Sequence, residues 1–502
     1  MAEIQILGVV GAGAMGRGIA QIAAQAGVTV RLYDNNAEAV AAAREALAQT
    51  WDRLAQKGKM SAESVQTALG HLRPASALSE LADCQLVVEA IVERLDVKRD
   101  LFAQLEGIVG PDCILASNTS SLSITAIAAA CQRPQRLAGY HFFNPVPLMK
   151  VVEVIDGLRT DPAVGDALAE LARRMGHTPV RAKDMPGFIV NHAGRGMNTE
   201  GLRVAQEAVA SFAQVDAIMR EQAGFRMGPF ELLDLTALDV SHPVMESIYR
   251  QFFDEPRFRP SPITTVRLAG GLLGRKVGEG FYLYQDGQKQ VPPEPAVPAL
   301  PSGLRVWVSP AHPEGQARAR ALLGQLGAEL TDTADADTLL IVTPMGEDLS
   351  TCVAEQGLDG ARVVGLDVLH DFAASRRRTL MVSPATAPRW RDAAHAVFAQ
   401  DGVAVSVIDD SPGFVAQRIV ATIVNIASDI AQQQIATPED IDRAVTLGLG
   451  YPKGPLALGD ALGAARILEV LRNMQRVTGD PRYRPSLWLQ RRVQLGLSLL
   501  HA

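Results

Sequence analysis

The sequence predicts four consecutive domains of alternating type: a parallel α/β domain, an all-helical domain, a degenerate α/β domain and a second helical domain. Three observations lead to this fold class. Residues 1–185 alternate short apolar runs with longer helical segments, the pattern of a parallel α/β sheet. The periodicity becomes helical over residues 186–286. Both patterns then recur beyond a proline-rich segment, over residues 304–410 and 411–502.

The first α/β segment contains six short apolar runs that are strand candidates. These runs are Ile4–Val10, Val28–Tyr33, Leu86–Glu89, Cys113–Ser117, Leu137–Phe143 and Val151–Ile155. Between the second and third of them, Glu38–Lys57 and Ala62–Leu69 have helical periodicity. This alternation predicts that the strands lie side by side in one sheet.

Residues 287–303 form the predicted linker, because Val291–Gly303 holds five prolines in 13 residues and proline stiffens an extended chain. The α/β segment after it has four strand candidates, which are Arg305–Val308, Thr338–Val342, Arg362–Leu366 and Thr379–Val382. The chain is predicted to be helical from Asp409 onward. Thr437 followed by Pro438 is typical of a helix start.

An internal repeat with an offset of 226 residues relates the two helical segments. The matching positions are Pro186-Gly187-Phe188 with Pro412-Gly413-Phe414, Asp216 with Asp442, Gly224 with Gly450, Gly228-Pro229 with Gly454-Pro455, and Asp234 with Asp460. One residue out of step, PRFRPS beginning at Pro256 matches PRYRPS beginning at Pro481. Chance similarity does not hold register over such a distance, so the helical domain is interpreted as a duplication.

The overall composition is that of a soluble globular protein, with 47% apolar and 21% charged residues among 502. A net charge of −7 argues against electrostatic binding of nucleic acid or an anionic membrane, and no apolar stretch approaches the length of a membrane-spanning helix. The four cysteines show neither metal-ligand spacing nor a disulfide framework. The apolar N-terminus lacks the features of a signal peptide. We expect a cytoplasmic protein without a bound metal.

The first chemical signal is a G-x-G-x-x-G motif directly after a strand and at the head of an amphipathic helix. Its first glycine permits a tight turn, its second lets backbone N–H groups approach a pyrophosphate, and its third allows close helix–strand packing. The helix N-terminus adds partial positive charge. The residues expected to contact the cofactor here are Gly11, Ala12, Gly13, Ala14, Met15 and Gly16. Alone, such a motif is also typical of ordinary glycine-rich turns.

Asp34 distinguishes between these two interpretations of the glycine motif. It ends the second strand, 21 residues after Gly13, where a carboxylate would accept hydrogen bonds from the adenosine ribose hydroxyls. The same carboxylate would repel a 2′-phosphate, so the expected cofactor is NAD rather than NADP. The alternative is that Asp34 is an ordinary turn residue.

His141 is the candidate general base among the nine histidines of the chain. Oxidising a secondary alcohol requires a group that takes the hydroxyl proton, and the pKa of imidazole suits that task. His141 ends one predicted strand, and Glu153 lies inside the next among apolar residues. A buried carboxylate needs a partner, and an imidazole N–H would supply one while fixing the ring tautomer. A purely structural His–Glu pair remains the alternative.

Six sequence strings follow one another over roughly residues 4–285: GAGAMGRGIA, VVEAIVERLDVKRDLF, ASNTSSLSIT, HFFNPVPLMKVVEVI, DMPGFIVN and GPFELLDLTALDV. In content and order, these strings resemble those of the 3-hydroxyacyl-CoA dehydrogenase family. The resemblance implies a Rossmann-type NAD-binding domain and the reaction (S)-3-hydroxyacyl-CoA + NAD⁺ ⇌ 3-oxoacyl-CoA + NADH + H⁺. The two-copy plan resembles the longer bacterial members, including those of phenylacetate catabolism that oxidise 3-hydroxyadipyl-CoA.

The resemblance also implies roles for individual residues. His141 would be the general base and Glu153 its orienting partner, while Ser120 would donate a hydrogen bond to the C3 oxygen and Asn191 would contact the reacting centre. Contacts on the nicotinamide side would come from Glu93, Lys98, Ser120 and Asn144. Each has a structural alternative, since Ser120 and Asn191 could cap helices and Lys98 could be a solvated surface charge. Lys57 and Lys59 are candidates for contacts with CoA phosphates.

The second half is expected to lack this chemistry. Its opening, VWVSPAHPEGQARA, has no glycine triplet, and at the offset of 226 His141, Asn191 and Ser120 fall on Asp367, Gln417 and Gly346. Allowing a small insertion, Glu153 falls on or beside Met381. We therefore expect one NAD per chain. The two helical domains are predicted to dock within the chain as a pseudo-dimer, with a homodimer also possible.

Two other functions fit the scaffold. One is a dehydrogenase for free 3-hydroxy acids or short polyols, which would gain little from the CoA thioester. The other is a non-catalytic NAD-binding or structural protein, because the lens λ-crystallins resemble this fold. The intact set of His141, Glu153, Ser120 and Asn191 argues against the second alternative.

Overall fold

The computed structural model describes residues 3–502. The contacts group these residues into two compact units. The first unit runs to His192 and also includes Gln433–Leu449 and the terminal Ala502, and the second comprises Ala193–Gln432 and Gly450–His501. The predicted division into five segments follows the order of the chain, whereas these units gather residues that are distant in sequence.

The first unit is built on an eight-stranded sheet of order β3-β2-β1-β4-β5-β6-β7-β8. Its strands are β1 (Ile6–Val10), β2 (Thr29–Tyr33), β3 (Leu72–Pro74), β4 (Leu86–Glu89), β5 (Ile114–Ser117), β6 (Leu137–Phe142), β7 (Val151–Asp156) and β8 (Thr178–Lys183). Neighbouring strands are parallel, except that β7 runs antiparallel to β6. Apolar strands such as β4 and β5 are buried along their whole length, as a sheet covered on both faces requires.

Helices connect and cover these strands. They are α1 (Ala14–Gln25), α2 (Ala37–Gln56), α3 (Ala62–His71), α4 (Leu95–Ile108), α5 (Ile124–Ala128), α6 (Pro162–Arg174) and α7 (Val190–Ala193). Side-chain caps begin several of them: Asn36 accepts from the Glu38 N–H, and Ser61 accepts from the Ser64 N–H. The six predicted strands and the two predicted helices of this segment are confirmed, with ends that differ by at most two residues.

The first helical copy continues the chain with α8 (Arg195–Gln206), α9 (Phe212–Glu221), α10 (Pro229–Thr236), α11 (Leu238–Gln251) and α12 (Pro262–Ala269). A short antiparallel hairpin of β9 (Tyr284–Gln285) and β10 (Gln288–Lys289) follows. The proline-rich stretch beyond the hairpin, residues 290–303, contains no helix or strand, as its composition predicts.

The degenerate α/β domain forms a six-stranded sheet of order β12-β11-β13-β14-β15-β16. Its strands are β11 (Arg305–Val308), β12 (Glu329–Leu330), β13 (Thr338–Val342), β14 (Val363–Leu366), β15 (Arg377–Met381) and β16 (Ala404–Ile408). Its helices are α13 (Pro313–Gln325), α14 (Leu349–Gln356) and α15 (Pro388–Phe398). As in the first sheet, one pair of strands, β14 with β15, is antiparallel.

The second helical copy comprises α16 (Val415–Gln432), α17 (Pro438–Leu449), α18 (Pro455–Leu462), α19 (Ala464–Thr478) and α20 (Leu487–Leu495). α16 packs against α8 of the first copy within the second unit. α17 instead belongs to the first unit, where it lies against β7 and β8. Thr437 accepts from the Asp440 N–H, so the predicted start of α17 is confirmed.

Six strands are absent from the prediction: β3, β8, β12, β16 and the two strands of the short hairpin, β9 and β10. β3 and β8 lie at the two edges of the first sheet and each contains a proline, Pro74 or Pro179, which a strand tolerates at an edge. β12 has two residues and lies at an edge of the second sheet, as does β16. Short edge strands carry little apolar periodicity, so the sequence signal for them is weak.

Candidate active site

The glycine loop between β1 and α1 has the geometry of a dinucleotide-binding turn. Gly11 adopts a φ of 107°, and a side chain there would place its Cβ 2.4 Å from the Ala90 carbonyl oxygen. A Cβ on Gly16 would lie 1.8 Å from the Gly11 carbonyl oxygen. The close packing of α1 on the loop therefore requires glycine at position 16. No atom lies within 4 Å of a Cβ built on Gly13, which leaves space for a pyrophosphate at the N-terminus of α1.

Asp34 is tied directly to this loop. Its carboxylate accepts from the Ala12 N–H at 2.7 Å and from the Asn36 N–H at 2.9 Å. The side chain is half-buried at the end of β2. An ionised carboxylate has further acceptor capacity beyond these two bonds, so it can also accept from ribose hydroxyls. Asp34 therefore fixes the glycine loop that it adjoins.

Glu93 organises the SNTSS loop that follows β5. Its Oε1 accepts from the Thr119 hydroxyl at 2.6 Å, from the Ser120 N–H at 2.8 Å and from the Ser121 N–H at 3.1 Å. Lys98 lies 3.2 Å from the other oxygen of Glu93. Burial alone would raise the pKa of Glu93, but the Lys98 ammonium and the hydroxyl and N–H donors outweigh burial and hold the pKa below its usual value.

Lys98 is buried between two carboxylates and is not a solvated surface charge. Its side chain is 1% exposed and donates to Glu89 at 2.5 Å. Glu89 in turn accepts from the Ser117 hydroxyl at 2.6 Å and from the Ile91 N–H at 2.8 Å. The pair Lys98–Glu89 thus joins the carboxyl ends of β4 and β5 to the loop that holds Ser120.

Residue-by-residue reasoning from the sequence missed Glu89 as a member of this group. The available signal is its position: it is the last residue of the apolar run Leu86–Glu89, at the carboxyl end of a central strand. In open α/β sheets that edge is where ligands bind, and a carboxylate ending a buried strand needs a cationic partner.

His141 and Glu153 face each other across the antiparallel pair β6 and β7. The His141 Nδ1 lies 2.6 Å from Glu153 Oε2, and both side chains are buried. The other oxygen, Oε1, accepts from the N–H groups of Ile189 and Val190 at 2.8 and 2.9 Å. Those N–H groups follow Phe188, which adopts a φ of 48°, an unusual conformation for a residue with a side chain.

Asn191 and Ser120 come together beside this pair. The Asn191 side-chain amide donates to the Ser120 carbonyl oxygen at 3.3 Å, and the Ser120 hydroxyl donates to Glu93 at 3.3 Å. Asn191 directly follows Val190, whose N–H binds Glu153. A continuous set of contacts therefore connects His141, Glu153, α7, the SNTSS loop and the Glu93–Lys98 pair.

A cavity of about 930 Å³ opens beside the same end of the first unit. It runs from α1 and α2 to the loop after β6, and Asn144 is exposed on its wall. Lys59 also lines it, whereas Lys57 is not among the residues of the wall. Five cationic side chains surround the cavity: Arg17, Arg53, Lys59, Lys150 and Arg174.

The corresponding positions of the degenerate domain are occupied by a closed polar cluster. Gln417 donates to Asp367 at 2.9 Å and accepts from the Gly346 N–H at 3.0 Å. Gln222, the residue directly after α9, donates to Asp367 at 2.7 Å and accepts from the Thr379 hydroxyl at 2.5 Å. Burial raises the pKa of Asp367 against the hydrogen bonds it receives. The members of the cluster donate and accept hydrogen bonds among themselves, and Asp367 and Thr379 do not form a base–carboxylate pair.

The strand register corrects one expectation about this domain. Gly139 pairs with Ile155 in the first sheet, and Gly365 pairs with Met381 in the second, so the offset of 226 holds on both strands. The counterpart of Glu153 is therefore Thr379, and placing it on or beside Met381 was wrong. The second half has no insertion between these two strands, because its paired residues keep the register of the corresponding pairs in the first half.

Two further observations concern residues 3–502. No three His, Cys, Asp or Glu side chains in this range are grouped so that they could hold a metal ion. Within the same range, no helix combines the length and the apolar character that crossing a bilayer requires.

Comparison with known proteins gives consistent matches along the chain. Residues 6–185 match the NAD binding domain of 3-hydroxyacyl-CoA dehydrogenase, and residues 187–284 and 413–498 both match the C-terminal domain of the same family. The chain is 39% identical to the 3-hydroxyadipyl-CoA dehydrogenase of Escherichia coli over 99% of its own length and 98% of that protein. It is 43% identical to a probable 3-hydroxybutyryl-CoA dehydrogenase of Deinococcus radiodurans, over 55% of this chain and 99% of the relative.

A solved structure resembles the whole chain. The crystal structure of 3-hydroxybutyryl-CoA dehydrogenase from Escherichia coli K12 superposes with a TM-score of 0.87 at 37% identity, covering 98% of this chain and 99% of the other. The predicted fold class, with its duplicated helical domain, is confirmed by these matches, and NAD is confirmed as the cofactor of the matching family. The chain belongs to the 3-hydroxyacyl-CoA dehydrogenase family.

Proposed function

We propose that the protein oxidises (S)-3-hydroxyacyl-CoA thioesters to 3-oxoacyl-CoA, with His141 as general base. The observation that carries this proposal is the buried His141–Glu153 pair, 2.6 Å apart, at the end of the sheet where the glycine loop and the SNTSS loop also lie. A carboxylate can only accept a hydrogen bond, so Nδ1 carries the ring proton and Nε2 is the nitrogen that takes the proton of the 3-hydroxyl group.

Glu153 supports that proton transfer in two ways. It fixes the tautomer of His141 through Nδ1, and its negative charge stabilises the imidazolium that forms when the substrate hydroxyl is deprotonated. The N–H groups of Ile189 and Val190 hold the carboxylate in place and keep it satisfied while it is buried.

Ser120 and Asn191 are proposed to hold the reacting oxygen. The Asn191 amide already reaches the Ser120 carbonyl, so both side chains belong to one wall of the site. A hydroxyl and an amide donor aimed at an oxygen whose charge changes during the reaction lower the barrier without needing to reorganise. Glu93 and Lys98 position this wall through the SNTSS loop.

NAD⁺, when bound at the glycine loop, supplies the hydride acceptor. The residues proposed to hold it are the loop from Gly11 to Gly16, Asp34 at the adenosine ribose, and Glu93, Lys98, Ser120 and Asn144 on the nicotinamide side. The open space at Gly13 and the spare acceptor capacity of Asp34 fit a dinucleotide.

The cationic cavity fits the CoA part of the substrate. Five Lys and Arg side chains line it within one unit, and CoA carries three phosphate groups that such side chains bind. Lys59 is the wall residue anticipated from the sequence, and Lys57 remains a more peripheral candidate.

The full-length relative from Escherichia coli is named for 3-hydroxyadipyl-CoA. We propose this dicarboxylic thioester among the substrates, with a role in the breakdown of aromatic or fatty acids.

Steady-state kinetics over several substrates tests the proposal. We expect turnover of 3-hydroxybutyryl-CoA, 3-hydroxyadipyl-CoA and longer (S)-3-hydroxyacyl-CoAs with NAD⁺, and a kcat/KM for each thioester far above that for its free acid, because binding of the CoA part contributes to catalysis. The (R)-3-hydroxyacyl-CoAs are the matched control. Equal turnover of the free acids would instead identify a free 3-hydroxy-acid dehydrogenase.

Replacement of Asp34 by Ala tests the cofactor assignment. The native protein should prefer NAD⁺ to NADP⁺ in kcat/KM, and Asp34→Ala should narrow that preference, because the variant removes the charge that repels a 2′-phosphate. The Ala12 N–H loses its acceptor in the same variant, so NAD⁺ binding should also weaken. Comparable use of both cofactors by the native protein would mean that Asp34 does not select between them.

We propose that the two helical copies form a pseudo-dimer within one chain. Support comes from the second unit, where α8 packs on α16 and a Cβ on Gly196 would lie 2.9 Å from the Ile423 Cα. Glu200 of the first copy pairs with Arg418 at 2.8 Å and with Arg482 at 3.1 Å, all three being buried. Such satisfied ion pairs fix one docking arrangement. Two such chains could also form a homodimer.

We place the protein in the cytoplasm, where its four free thiols would persist.

A further inference from the structure

The second helical copy contributes a segment to the first unit, although the rest of that copy lies elsewhere. Residues Gln433–Leu449, which contain α17, group with the NAD-binding sheet. The Lys183 N–H of β8 donates to the Ile435 carbonyl at 2.8 Å, and the Arg181 N–H donates to Asp440 at 3.1 Å. The segment therefore covers the edge strand next to β7, the strand that holds Glu153.

Gly448 is a residue of α17 that packs closely against Val190. A Cβ built on it would lie 3.0 and 3.1 Å from the two γ-methyl carbons of Val190 and 3.5 Å from a γ-methyl carbon of Val151. The Val190 N–H is one of the two donors to Glu153. A side chain at position 448 therefore requires Val190 to shift by a few tenths of an ångström, and the backbone N–H of Val190 is one of the groups that hold Glu153.

The degenerate half shows what a side chain does at this position. At the offset of 226, Gly448 corresponds to Gln222, and Val190 corresponds to Ala416. Gln222 reaches into the site and bonds Asp367 and Thr379, the counterparts of His141 and Glu153. The larger side chain lies on opposite members of the two pairs. In the catalytic half Gly448 faces Val190, whereas in the degenerate half Gln222 is matched with Ala416.

We propose that Gly448, supplied by the second half of the chain, is a positioning residue for the catalytic pair of the first half. By lacking a side chain it allows Val190 to seat against α17 and to direct its N–H at Glu153. This inference rests on the proposed roles of His141 and Glu153. It gives the second helical copy a part in catalysis that is separate from its contacts with the first copy.

The test compares kcat, KM and the Kd for NADH in full-length variants. Gly448→Val should lower kcat by about 10²-fold, because small displacements of a positioned group cost about that much. KM for the acyl-CoA and the Kd for NADH should stay near their native values, since Gly448 is neither one of the proposed cofactor residues nor a residue of the cationic cavity wall. Gly70→Ala is the matched control: Gly70 is also a helical glycine of the first unit, and nothing lies within 4 Å of its Cβ.

Rescue separates positioning from general damage. Gly448→Ala adds a single methyl group and should lower kcat by about tenfold, and adding Val190→Ala should restore most of the loss because it removes the methyl groups that the new Cβ meets. Gly448→Gln with Val190→Ala copies the degenerate pair and should stay inactive while folded. If Gly448→Val fails to fold, the alanine variants decide the question.

Four outcomes would contradict the proposal in distinguishable ways. Native kcat in a folded Gly448→Val protein, or no gain from Val190→Ala in the Gly448→Ala background, would refute the positioning role. Full activity in His141→Ala, measured in parallel, would refute the catalytic pair itself. A loss of kcat in Gly448→Val accompanied by an equal loss of NADH binding would indicate a disturbed domain rather than a misplaced carboxylate.

Discussion

His141→Ala is expected to lower kcat by about 10²–10⁴-fold, the usual contribution of a general base. In the proposed mechanism the imidazole takes the proton of the substrate hydroxyl group, and alanine leaves the Glu153 carboxylate buried with one oxygen unpaired. Because His141 lies apart from the glycine loop, NADH binding should change little. Steady-state turnover with a saturating 3-hydroxyacyl-CoA and fluorescence titration of NADH measure the two effects.

His71→Ala is a suitable control for this variant. His71 is half-buried in the same unit and contacts the Thr29 hydroxyl at 3.4 Å, away from β6 and β7. Its replacement should leave kcat unchanged. Glu153→Gln should lower kcat while keeping the shape of the pair, since an amide cannot stabilise the imidazolium as a carboxylate does. Turnover near the native level in His141→Ala would remove His141 from the mechanism.

Truncation to residues 1–290 is expected to abolish or strongly reduce activity and to cause self-association. The fragment lacks α16, against which α8 packs, and it lacks residues 433–449, which cover β8 and contact Val190. Large apolar faces exposed in this way associate or aggregate. Within the intact chain the covalent connection keeps the local concentration of these partners high. Sedimentation and turnover of the purified fragment measure both effects.

The outcome also defines what the degenerate half contributes. Relatives such as the Deinococcus radiodurans protein match about half of this chain over 99% of their own length. An active, monomeric 1–290 fragment would show that the second half has another task.

Calorimetric titration of the full chain should find one NAD per chain, because the loop after β11 lacks the glycine triplet. Two equivalents per chain would contradict the loss of the second site.

Local patterns in the sequence predicted most of the fold. The central strands were predicted within two residues because a buried strand is a short apolar run that needs no knowledge of its neighbours. The duplication was evident because glycines and prolines at turns keep their spacing. The glycine loop and Asp34 were identifiable because the turn, the helix start and the strand end are close in sequence.

The proposed site could be anticipated only in part. The pairing of His141 with Glu153 could be predicted because the two residues are only twelve positions apart in sequence, with one strand end and a turn between them. The burial of Lys98 between Glu89 and Glu93 was not foreseen, since a lysine in a polar helix segment has the same sequence signature whether solvated or buried. The closed cluster around Asp367 was not foreseen either, because Gln222 reaches it from a different domain of the chain.

The amino-acid sequence was enough to predict the order of the domains, the glycine loop, the pairing of His141 with Glu153, and the absence of such a pair from the second half. The folded chain was needed to show that the helix at 438–449 belongs with the first sheet, that Thr379 stands opposite Asp367, and that Gly448 abuts Val190. This difference follows from the range of the forces involved. Turn chemistry and hydrophobic periodicity act over a few residues, whereas close packing acts between groups that the folded chain brings together from any distance in sequence.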